Sequence, residues 1–252
     1  MSNNNIAIGI AVYNPDEKIM RNLENYNNAE CPIIFYLNSP IAITSFHGVN
    51  MIGDCKNNGL SVAMNSIAKS AHEMGCSHFL FLDQDTVCDL GGLLSEIRIN
   101  LDQFPSNMIA IHLNSKRAKM YKEGEFIINS STVFNLDNFF HIGGMSKDYF
   151  VDGLDYDFCI RSWQSMYLIQ SLPFAKYFDH HSGQDGINIK IGRKSLNIRK
   201  YPASRYREIN KFYINSLEMC LRIKLYRAGI SLCKSYCIFL IGRIISSIKW
   251  RE

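Results

Sequence analysis

One stretch, SHFLFLDQDT at residues 77–86, constrains the fold of this chain more than any other. Positions 78–82 are mostly bulky and apolar without a helical period, which is typical of a short strand buried on both faces of a parallel sheet. Asp83 and Asp85 follow at the carboxyl end of that strand, where open α/β sheets bind their ligands. Their spacing lets two oxygen ligands converge on one hard cation. The stretch therefore predicts either a site for a metal and a phosphate or a plain acidic turn after a strand.

Strands and helices alternate through the first third of the chain. The sequence predicts strands at Ile6–Val12, Ile33–Leu37 and 50–52, because each is a short apolar run that ends at a turn signal. Helix-compatible sequence follows the first strand to about Tyr26, and residues 61–74 carry an apolar stripe at helical spacing. This alternation predicts an α/β fold with a parallel sheet and right-handed crossovers, so that the loops able to contact a ligand share one edge.

The pattern changes after Asp85. The sequence predicts a helix over residues 90–104, strands over 108–113 and 126–134, and a short helix over 137–141 that Gly143-Gly144 terminates. A chain of 252 residues can bury a sizeable core, either as one large α/β domain or as one domain with an appendage. We place the domain at residues 1–214 and a helical extension at 215–252.

A second acidic cluster occupies residues 149–163, YFVDGLDYDFCIRSW. Asp155 and Asp157 precede the apolar positions Phe158, Ile160 and Trp163, so both carboxylates fall in the first turn of a predicted helix, whose dipole favours negative charge there. A carboxylate in this position can serve as a general base. Acidic first turns are also common helix caps, so the pattern alone fits either role.

Histidines and basic residues dominate the next part of the chain. His180 and His181 follow a short apolar strand candidate, and they are either surface residues or a pair of ligands. Basic residues then alternate with tyrosines up to Lys211, and this stretch includes Arg205. Such a stretch is typical of either a solvated face or a loop that handles anions.

The segment from residue 214 to 250 combines apolar residues at helical spacing with many basic ones. Its uncharged runs are all shorter than the roughly 18 residues that a spanning helix needs. We expect basic amphipathic helices that either lie on an anionic membrane surface or pack on the core or a second subunit.

Charge, cysteines and the first residues indicate the compartment. The formal net charge is +4, with the carboxylates mostly before residue 160 and the Arg and Lys residues crowded towards the end. The eight cysteines form no CxxC pair, which favours free thiols in a reducing compartment. The start, MSNNNIAIGIAVYNP, lacks the basic residues and the long apolar core of a signal peptide, so we expect the chain in the cytosol.

Six motifs occur in an order and spacing that cover roughly residues 6–215. They are AVYNPD at 11–16, NNGLSVAMN at 57–65, FLDQDT at 81–86, FVDGLDYDFCIR at 150–161, HHSG at 180–183 and RYREINKFY at 205–213. Together they resemble the bacterial family 2 glycosyltransferases, and most closely the rhamnosyltransferases of surface polysaccharide (O-antigen or capsule) synthesis. The central motif of that branch is commonly Leu-Asp-Gln-Asp-Ser, and Thr86 stands in place of its serine.

The resemblance implies a GT-A fold, a Rossmann-like and mostly parallel central sheet flanked by helices, here with a C-terminal helical extension. It also implies an inverting hexosyltransferase with a nucleotide-sugar donor and a divalent Mg²⁺ or Mn²⁺. Through the rhamnosyl branch we expect dTDP-rhamnose as the donor and a lipid-linked glycan as the acceptor. The expected location is the cytoplasm, peripheral on the inner face of the plasma membrane.

Residue roles follow from position in the family motifs. Asp155 matches the general base, and Asp85, with Asp83, matches the metal ligands. His180 matches a histidine that completes the coordination of the metal or touches the diphosphate. Supporting or acceptor-binding roles go to Asp152, Asp157, Arg161, His181 and Arg205. The nucleotide-sugar contacts are Tyr13, Asn14, Pro15, Asn38, Asn57, Gly59, Asn65, Asp83 and Gln84.

One departure from the family concerns the residue that contacts the nucleobase. Many relatives carry Asp-Asn-Gly-Ser after the second strand, with the Asp on the base or ribose, whereas this chain has Asn38 in Leu-Asn-Ser-Pro. Uridine diphosphate is therefore the second choice, in a galactofuranosyl, glucosyl or N-acetylhexosaminyl transferase on the same fold. A non-catalytic sugar-binding protein is a further alternative. A nucleotidyltransferase would need a Gly-rich loop with an activated Lys or Arg, which AVYNPD does not contain.

Overall fold

The structure, a computed structural model, describes residues 5–27, 29–41, 46–101, 103–180, 186–191, 194–199 and 203–248. In the first third of the chain the predicted alternation of strands and helices is confirmed. Continuous apolar runs form its main strands because they can be buried on both faces, and every residue of the second strand is buried. The elements are β1 Ile6–Val12, α1 Glu17–Glu24, β2 Ile33–Leu37, β3 Val49–Ile52, α2 Leu60–Glu73 and β4 His78–Asp83.

Shorter strands and helices follow the acidic turn. They are β5 Thr86–Cys88, α3 Leu90–Leu101, β6 Met108–His112, β7 Asn114–Met120, β8 Thr132–Asn135, α4 Leu136–His141, α5 Leu154–Gln164, β9 Leu168–Pro173, a 3-10 helix Ala175–Tyr177 and β10 Phe178–His180.

One strand prediction in this half is wrong over most of its length. The strand predicted at 126–134 forms only over its last three residues, because Ser131 has a φ of 58° that interrupts the extended chain. Phe126 packs instead against the rings of Tyr156 and Trp163, at centroid distances of 4.5 and 5.3 Å. The helix predicted at 90–104 is confirmed over Leu90–Leu101.

Eight strands form one sheet in the order β3-β2-β1-β4-β8-β6-β9-β7. β3, β2, β1 and β4 pair in parallel, and β8 runs antiparallel to both β4 and β6. β6 and β9 pair in parallel, and β7 is an antiparallel edge strand. The carboxyl ends of β1, β2, β3, β4, β6 and β9 therefore lie along one edge of the sheet, which we call the carboxyl edge.

Helices cover both faces of the sheet. Alternate side chains of β1, such as Ile8 and Ile10, pack with α1 and α3, whereas Ala7 packs with α2, α4 and α5. A Cβ at Gly9 would lie 2.2 Å from Cγ2 of Ile67, so α2 packs directly against the backbone of β1. The predicted mostly parallel sheet flanked by helices is confirmed.

The chain divides into two compact units, Met1–Lys122 with Phe126–His181 and Glu123–Glu125 with Ser182–Glu252. The second unit contains the hairpin β11 Gly186–Ile191 and β12 Lys194–Arg199, followed by the helices α6 Ala203–Arg222 and α7 Tyr226–Ile248. No helix in the described part of the chain combines the length and apolar character that crossing a bilayer requires.

The helix α7 has two apolar faces. One face packs on α6, where the rings of Tyr213 and Tyr236 stack at 4.8 Å and the Tyr236 hydroxyl donates to Oδ1 of Asn210 at 3.1 Å. The other face is exposed to solvent and borders an apolar groove of about 840 Å³ between the two helices. Its exposed residues recur at helical spacing: Tyr226, Ile230, Cys233, Cys237, Ile238, Ile241 and Ile244.

Candidate active site

The acidic turn after β4 lies at the carboxyl edge. β4 ends at Asp83, and the chain turns through Gln84 and Asp85 into β5. β5 pairs with β10 so that Thr86 faces His180, which brings the backbone of His180 beside the acidic turn. Within the residues that the structure describes, no three His, Cys, Asp or Glu residues are grouped closely enough to hold a metal ion.

Hydrogen bonds from two other elements hold the backbone of this turn. Nδ2 of Asn22, in α1, donates to the carbonyl oxygens of Gln84 and Thr86, each at 3.0 Å. From the side of β8, Oγ of Ser130 accepts the N–H of Asp83 at 3.1 Å. The backbone that carries the two carboxylates is therefore fixed from both sides before any ligand binds.

The loop after β1 borders an open cleft. Asn14 has a left-handed φ of 42°, and its N–H donates to Oγ of Ser39 at 2.7 Å. The side chain of Tyr13 is 45% exposed. Asn14, Pro15 and Pro40 line a cleft of about 600 Å³. The loop assigned to the nucleobase thus offers an exposed ring and a cavity at the carboxyl edge.

Asn38 connects the end of β2 to its neighbours. Its N–H donates to the carbonyl of Val12 at 2.8 Å, and its Oδ1 accepts the N–H of Asn58 at 3.1 Å. Oδ1 of Asn57 accepts the N–H of Gly59 at 3.3 Å. These asparagines shape the entry to α2, at the same edge as the loop after β1.

The start of α2 packs against the segment that leads to the second acidic cluster. The N–H of Leu60 donates to the carbonyl of Phe150 at 2.7 Å, and a Cβ at Gly59 would lie 2.6 Å from Cδ2 of Phe150. Five residues further on, the amide of Asn65 makes two hydrogen bonds with the main chain of Met145, both at 2.8 Å. α2 therefore fixes the loop that precedes α5.

Asp155 lies in the first turn of α5, after Gly153 with its φ of 90°. Its Oδ1 accepts the N–H of Tyr156 at 3.2 Å. Burial raises the pKa of Asp155, main-chain hydrogen bonds oppose that rise, and the negative charges of Asp152 and Asp83 add to it, so that the pKa is about 6. The negative charge of Asp83 therefore acts on Asp155 and links the second acidic cluster electrostatically to the acidic turn.

Asp157 has different partners. Its Oδ2 accepts from Nε of Arg161 at 2.7 Å, and a second guanidinium nitrogen lies 2.7 Å from the same oxygen. Arg161 also donates to the carbonyl of Ile142 at 2.7 Å. Burial raises the pKa of Asp157 while the guanidinium opposes that rise. This carboxylate is therefore engaged in fastening α5 to the loop after α4.

The remaining assigned residues are distributed differently. Asp152 is partly buried in the turn before α5. Arg205 lies in α6 of the second unit, and His181 falls outside the described residues. Sequence reasoning missed Asn22, Ser39 and Ser130, which hold the site together. The sequence gives only a weak indication for Asn22. This polar residue directly precedes Leu23, which is buried on the inner side of the short amphipathic helix α1.

No protein-family model matches the sequence, and no curated protein matches it either. Solved structures do share its fold. GalNAc-T7, in a structure with UDP, GalNAc and Mn²⁺, aligns with a TM-score of 0.52 and 10% identity over 69% of this chain and 43% of that chain. TarS of S. aureus aligns with a TM-score of 0.51 and 10% identity, covering 72% and 37%.

A structure of residues 1–349 of S. aureus TarS in complex with UDP-GlcNAc aligns with a TM-score of 0.50 and 11% identity, covering 73% of this chain and 60% of that chain. This chain spans between about two fifths and three fifths of the solved chains. At such low identity the likeness concerns the fold alone. The fold is GT-A-like, as the sequence motifs implied.

Proposed function

We propose that this chain is an inverting, metal-dependent glycosyltransferase of family 2 that transfers a sugar from a nucleoside diphosphate donor. One observation carries the proposal. Asp155, in the first turn of α5, has its pKa raised to about 6 by burial and by the charges of Asp152 and of Asp83, which ends β4 at the carboxyl edge of a GT-A-like sheet. A pKa close to neutrality suits a general base, and the edge is where α/β sheets bind nucleotides.

In the proposed reaction the acceptor hydroxyl oxygen attacks the anomeric carbon from the face opposite the diphosphate. The new glycosidic C–O bond forms as the bond between the anomeric carbon and the diphosphate oxygen breaks, and the electron pair leaves with the nucleoside diphosphate. Asp155 takes the proton of the hydroxyl. The result is inversion at the anomeric carbon, in one displacement with one base.

The donor set at the acidic turn fits a hard divalent cation, because Asp83 and Asp85 supply carboxylate oxygens. His180 is proposed as a further ligand, and imidazole suits Mn²⁺ better than Mg²⁺. The cation, when bound, stabilises negative charge on the leaving diphosphate. The influence of Asp83 on Asp155 supports this assignment, because a cation at the acidic turn would offset the negative charge that raises the pKa of Asp155.

The nucleotide half of the donor is proposed to bind at Tyr13, Asn14 and Pro15, with Asn38, Asn57, Gly59 and Asn65 shaping the neighbouring wall. The rhamnosyl resemblance favours dTDP-rhamnose. The fold neighbours favour the uridine alternative, because the GalNAc-T7 structure contains UDP and the TarS structure contains UDP-GlcNAc. Asn38 in place of the family's Asp is compatible with either base.

A donor screen tests the proposal. Thymidine- and uridine-diphosphate sugars are incubated with the full chain and Mn²⁺ or Mg²⁺, and hydrolysis or transfer is measured by release of the nucleoside diphosphate. We expect metal-dependent release from one nucleotide class. A protein that binds sugar nucleotides tightly but releases nothing, with any acceptor, would be the non-catalytic sugar-binding protein instead.

The acceptor is proposed to be a lipid-linked glycan at an anionic membrane surface, reached through the second unit. Between residues 203 and 248 there are eight basic and two acidic residues, a net charge of +6. Basic residues such as Arg227 and Lys234 accompany the exposed apolar face of α7. A second copy of the chain would bring the same positive charge to this face, whereas anionic lipid would neutralise it while the apolar residues enter the interface.

A further inference from the structure

The side chain of Gln84 continues the β-sheet beyond the point where its strand ends. β1 and β4 pair in parallel up to Ala11 opposite Asp83. Beyond that pair β4 turns away, so the main chain of Tyr13 has no strand opposite it. Oε1 of Gln84 accepts the N–H of Tyr13 at 2.8 Å, and Nε2 of Gln84 donates to the carbonyl of Tyr13 at 3.0 Å.

These two bonds reproduce the way in which one residue of a strand pairs with its neighbour. A carboxamide has one acceptor and one donor group in a fixed plane, so it can satisfy the N–H and the carbonyl of the same residue at once. A shorter or apolar side chain would leave both main-chain groups of Tyr13 without this partner. The side chain of Gln84 thus makes the pair of hydrogen bonds that β4 would make with Tyr13 if the strand continued.

The backbone of Gln84 is itself held from behind. Its carbonyl accepts from Nδ2 of Asn22, which also bonds the carbonyl of Thr86. The hydroxyl of Tyr26 donates to the carbonyl of Thr86 at 3.3 Å. Because α1 fixes the turn, the two hydrogen bonds between Gln84 and Tyr13 also fix the position of the loop after β1.

We propose that Gln84 is a positioning residue that sets the distance between the loop at Tyr13–Pro15 and the carboxylates of Asp83 and Asp85. The inference rests on the proposed function, in which that loop holds the base and the carboxylates hold the metal-bound diphosphate. A nucleoside diphosphate must reach both places at once. Inorganic diphosphate reaches only the carboxylates. Loss of the hydrogen bonds between Gln84 and Tyr13 should therefore weaken the binding of nucleoside diphosphates more than that of inorganic diphosphate.

The experiment compares the full chain with its Gln84→Met variant, in which the side chain keeps its length and loses both hydrogen bonds. Asn138→Ala is the matched control, because Nδ2 of Asn138 donates to the carbonyls of Ser106 and Met108 at the opposite edge of the sheet. Amide hydrogen exchange over residues 12–16 reports the link itself. Calorimetry with Mn²⁺ measures Kd for UDP, dTDP and inorganic diphosphate.

We expect Gln84→Met to speed exchange of the Tyr13 amide and to weaken the binding of UDP or dTDP by about tenfold, the size expected for losing two solvent-exposed hydrogen bonds. Its Kd for inorganic diphosphate should change by less than about twofold, and in transfer assays KM for the donor should rise while kcat is maintained. Asn138→Ala should leave the exchange at 12–16 and all three Kd values as in wild type.

Unchanged exchange over residues 12–16 in Gln84→Met would overturn the inference, as would equal weakening of nucleotides and inorganic diphosphate. Either result, with wild type binding nucleotide normally, leaves the proposed function intact. A wild-type chain that binds no nucleoside diphosphate at all would overturn the proposed function, and the inference with it.

Discussion

Asp155 and Asp157 lie two residues apart in the first turn of α5, yet their surroundings differ. Asp157 is buried and paired with Arg161, whereas Asp155 accepts one main-chain N–H and repels the nearby Asp83. A carboxylate in an ion pair is held in its charged form and in one position. Asp155, which has no ion-pair partner among the described residues, is the better candidate base, because a raised pKa strengthens its attraction for a proton.

Replacing Asp155 with Asn keeps the shape of the side chain and removes its basicity. We expect transfer to slow by roughly a hundred- to ten-thousand-fold, the range for loss of a general base, while donor affinity survives. Calorimetry and transfer rates are measured for Asp152→Asn, Asp155→Asn and Asp157→Asn together. Asp157→Asn should mainly lower Tm, because it leaves Arg161 without its partner. Near-normal transfer by Asp155→Asn, with a neighbouring variant inactive, would assign the base to that neighbour.

The raised pKa of Asp155 also predicts how activity and stability depend on pH. Because the base must be ionised, kcat/KM should rise as pH increases through about 6, and this rise should be absent in Asp155→Asn. Stability follows the opposite direction. A folded pKa above the ordinary value near 4 contributes stability at low pH that is lost as pH rises from about 4 through 6.

Asp155→Asn should therefore be more stable than wild type at pH 7, by up to about 3 kcal/mol, and the difference should vanish near pH 4. Thermal unfolding at a series of pH values measures this. Equal Tm values for the two proteins at every pH would mean that burial does not penalise the charge of Asp155.

Among the elements, α2 connects the proposed nucleotide-binding loops to Asp155, the proposed general base. Gly59 begins this helix with φ 85° and ψ 170°, a conformation that only glycine adopts readily, and it lies against Phe150. Phe150 precedes Asp152 in the loop that leads to α5. A change at the start of α2 is thus transmitted to the acidic cluster through direct contact.

Gly59→Ala should lower stability by about 1–3 kcal/mol from backbone strain alone, and should also slow transfer because the new methyl group displaces Phe150. Gly75→Ala is the matched control, since Gly75 also has a positive φ, of 77°, but has open space around it. Both variants should have a lower Tm than wild type. Only Gly59→Ala should also have a lower transfer rate per folded molecule. Equal activity per folded molecule in the two variants would refute the coupling.

The sequence was most informative for buried strands and least informative for edges and loops. β1, β2 and β4 were predicted at nearly their observed bounds, because parallel strands buried on both faces are continuous apolar runs. β7 was missed because its sequence, NSKRAKM, is charged, as suits an edge strand. The strand predicted over 126–134 was wrong at its start because the apolar residues there pack as a loop.

For the candidate site, the sequence predicts residues but not the bonds that hold them in place. Motif positions identified the acidic residues, but side-chain to main-chain bonds such as those of Asn22, Ser130 and Gln84 join residues more than forty positions apart. Such pairings depend on the register of the sheet and on how helices pack, which no local pattern encodes. The role of Asn65 illustrates this, because its amide bonds the main chain of Met145, eighty positions away.

At the scale of the whole molecule, we propose that the second unit attaches the protein to an anionic membrane surface. The exposed apolar face of α7 and its basic neighbours should bind anionic vesicles, less strongly at high salt. Ile230→Ser with Ile241→Ser removes two residues that are 58% and 47% exposed, so we expect an intact fold and release from vesicles. Ile99→Ser, which removes a residue 67% exposed in α3, is the control and should leave binding unchanged.

Deletion of residues 216–252 should release the protein in the same assay, which is sedimentation with anionic and with zwitterionic vesicles. Maleimide labelling of Cys233 and Cys237, both exposed, gives a second readout, because bound lipid should shield them. If the full chain ignores anionic vesicles at low salt, the face is a contact between subunits instead, and sedimentation equilibrium should then show a dimer.

We propose that a cation held at the acidic turn is needed for donor binding and transfer. The most direct measurement is calorimetry of the nucleoside diphosphate with Mn²⁺ or with chelator, together with the transfer rate, for wild type, Asp85→Ala and the control Asp137→Ala. Asp137 is an exposed carboxylate in the first turn of α4, at the other edge of the sheet. We predict that Asp85→Ala keeps wild-type Tm but loses metal-dependent binding and transfer, while Asp137→Ala keeps both. Near wild-type transfer by Asp85→Ala in the presence of chelator would show that transfer needs no cation at the acidic turn.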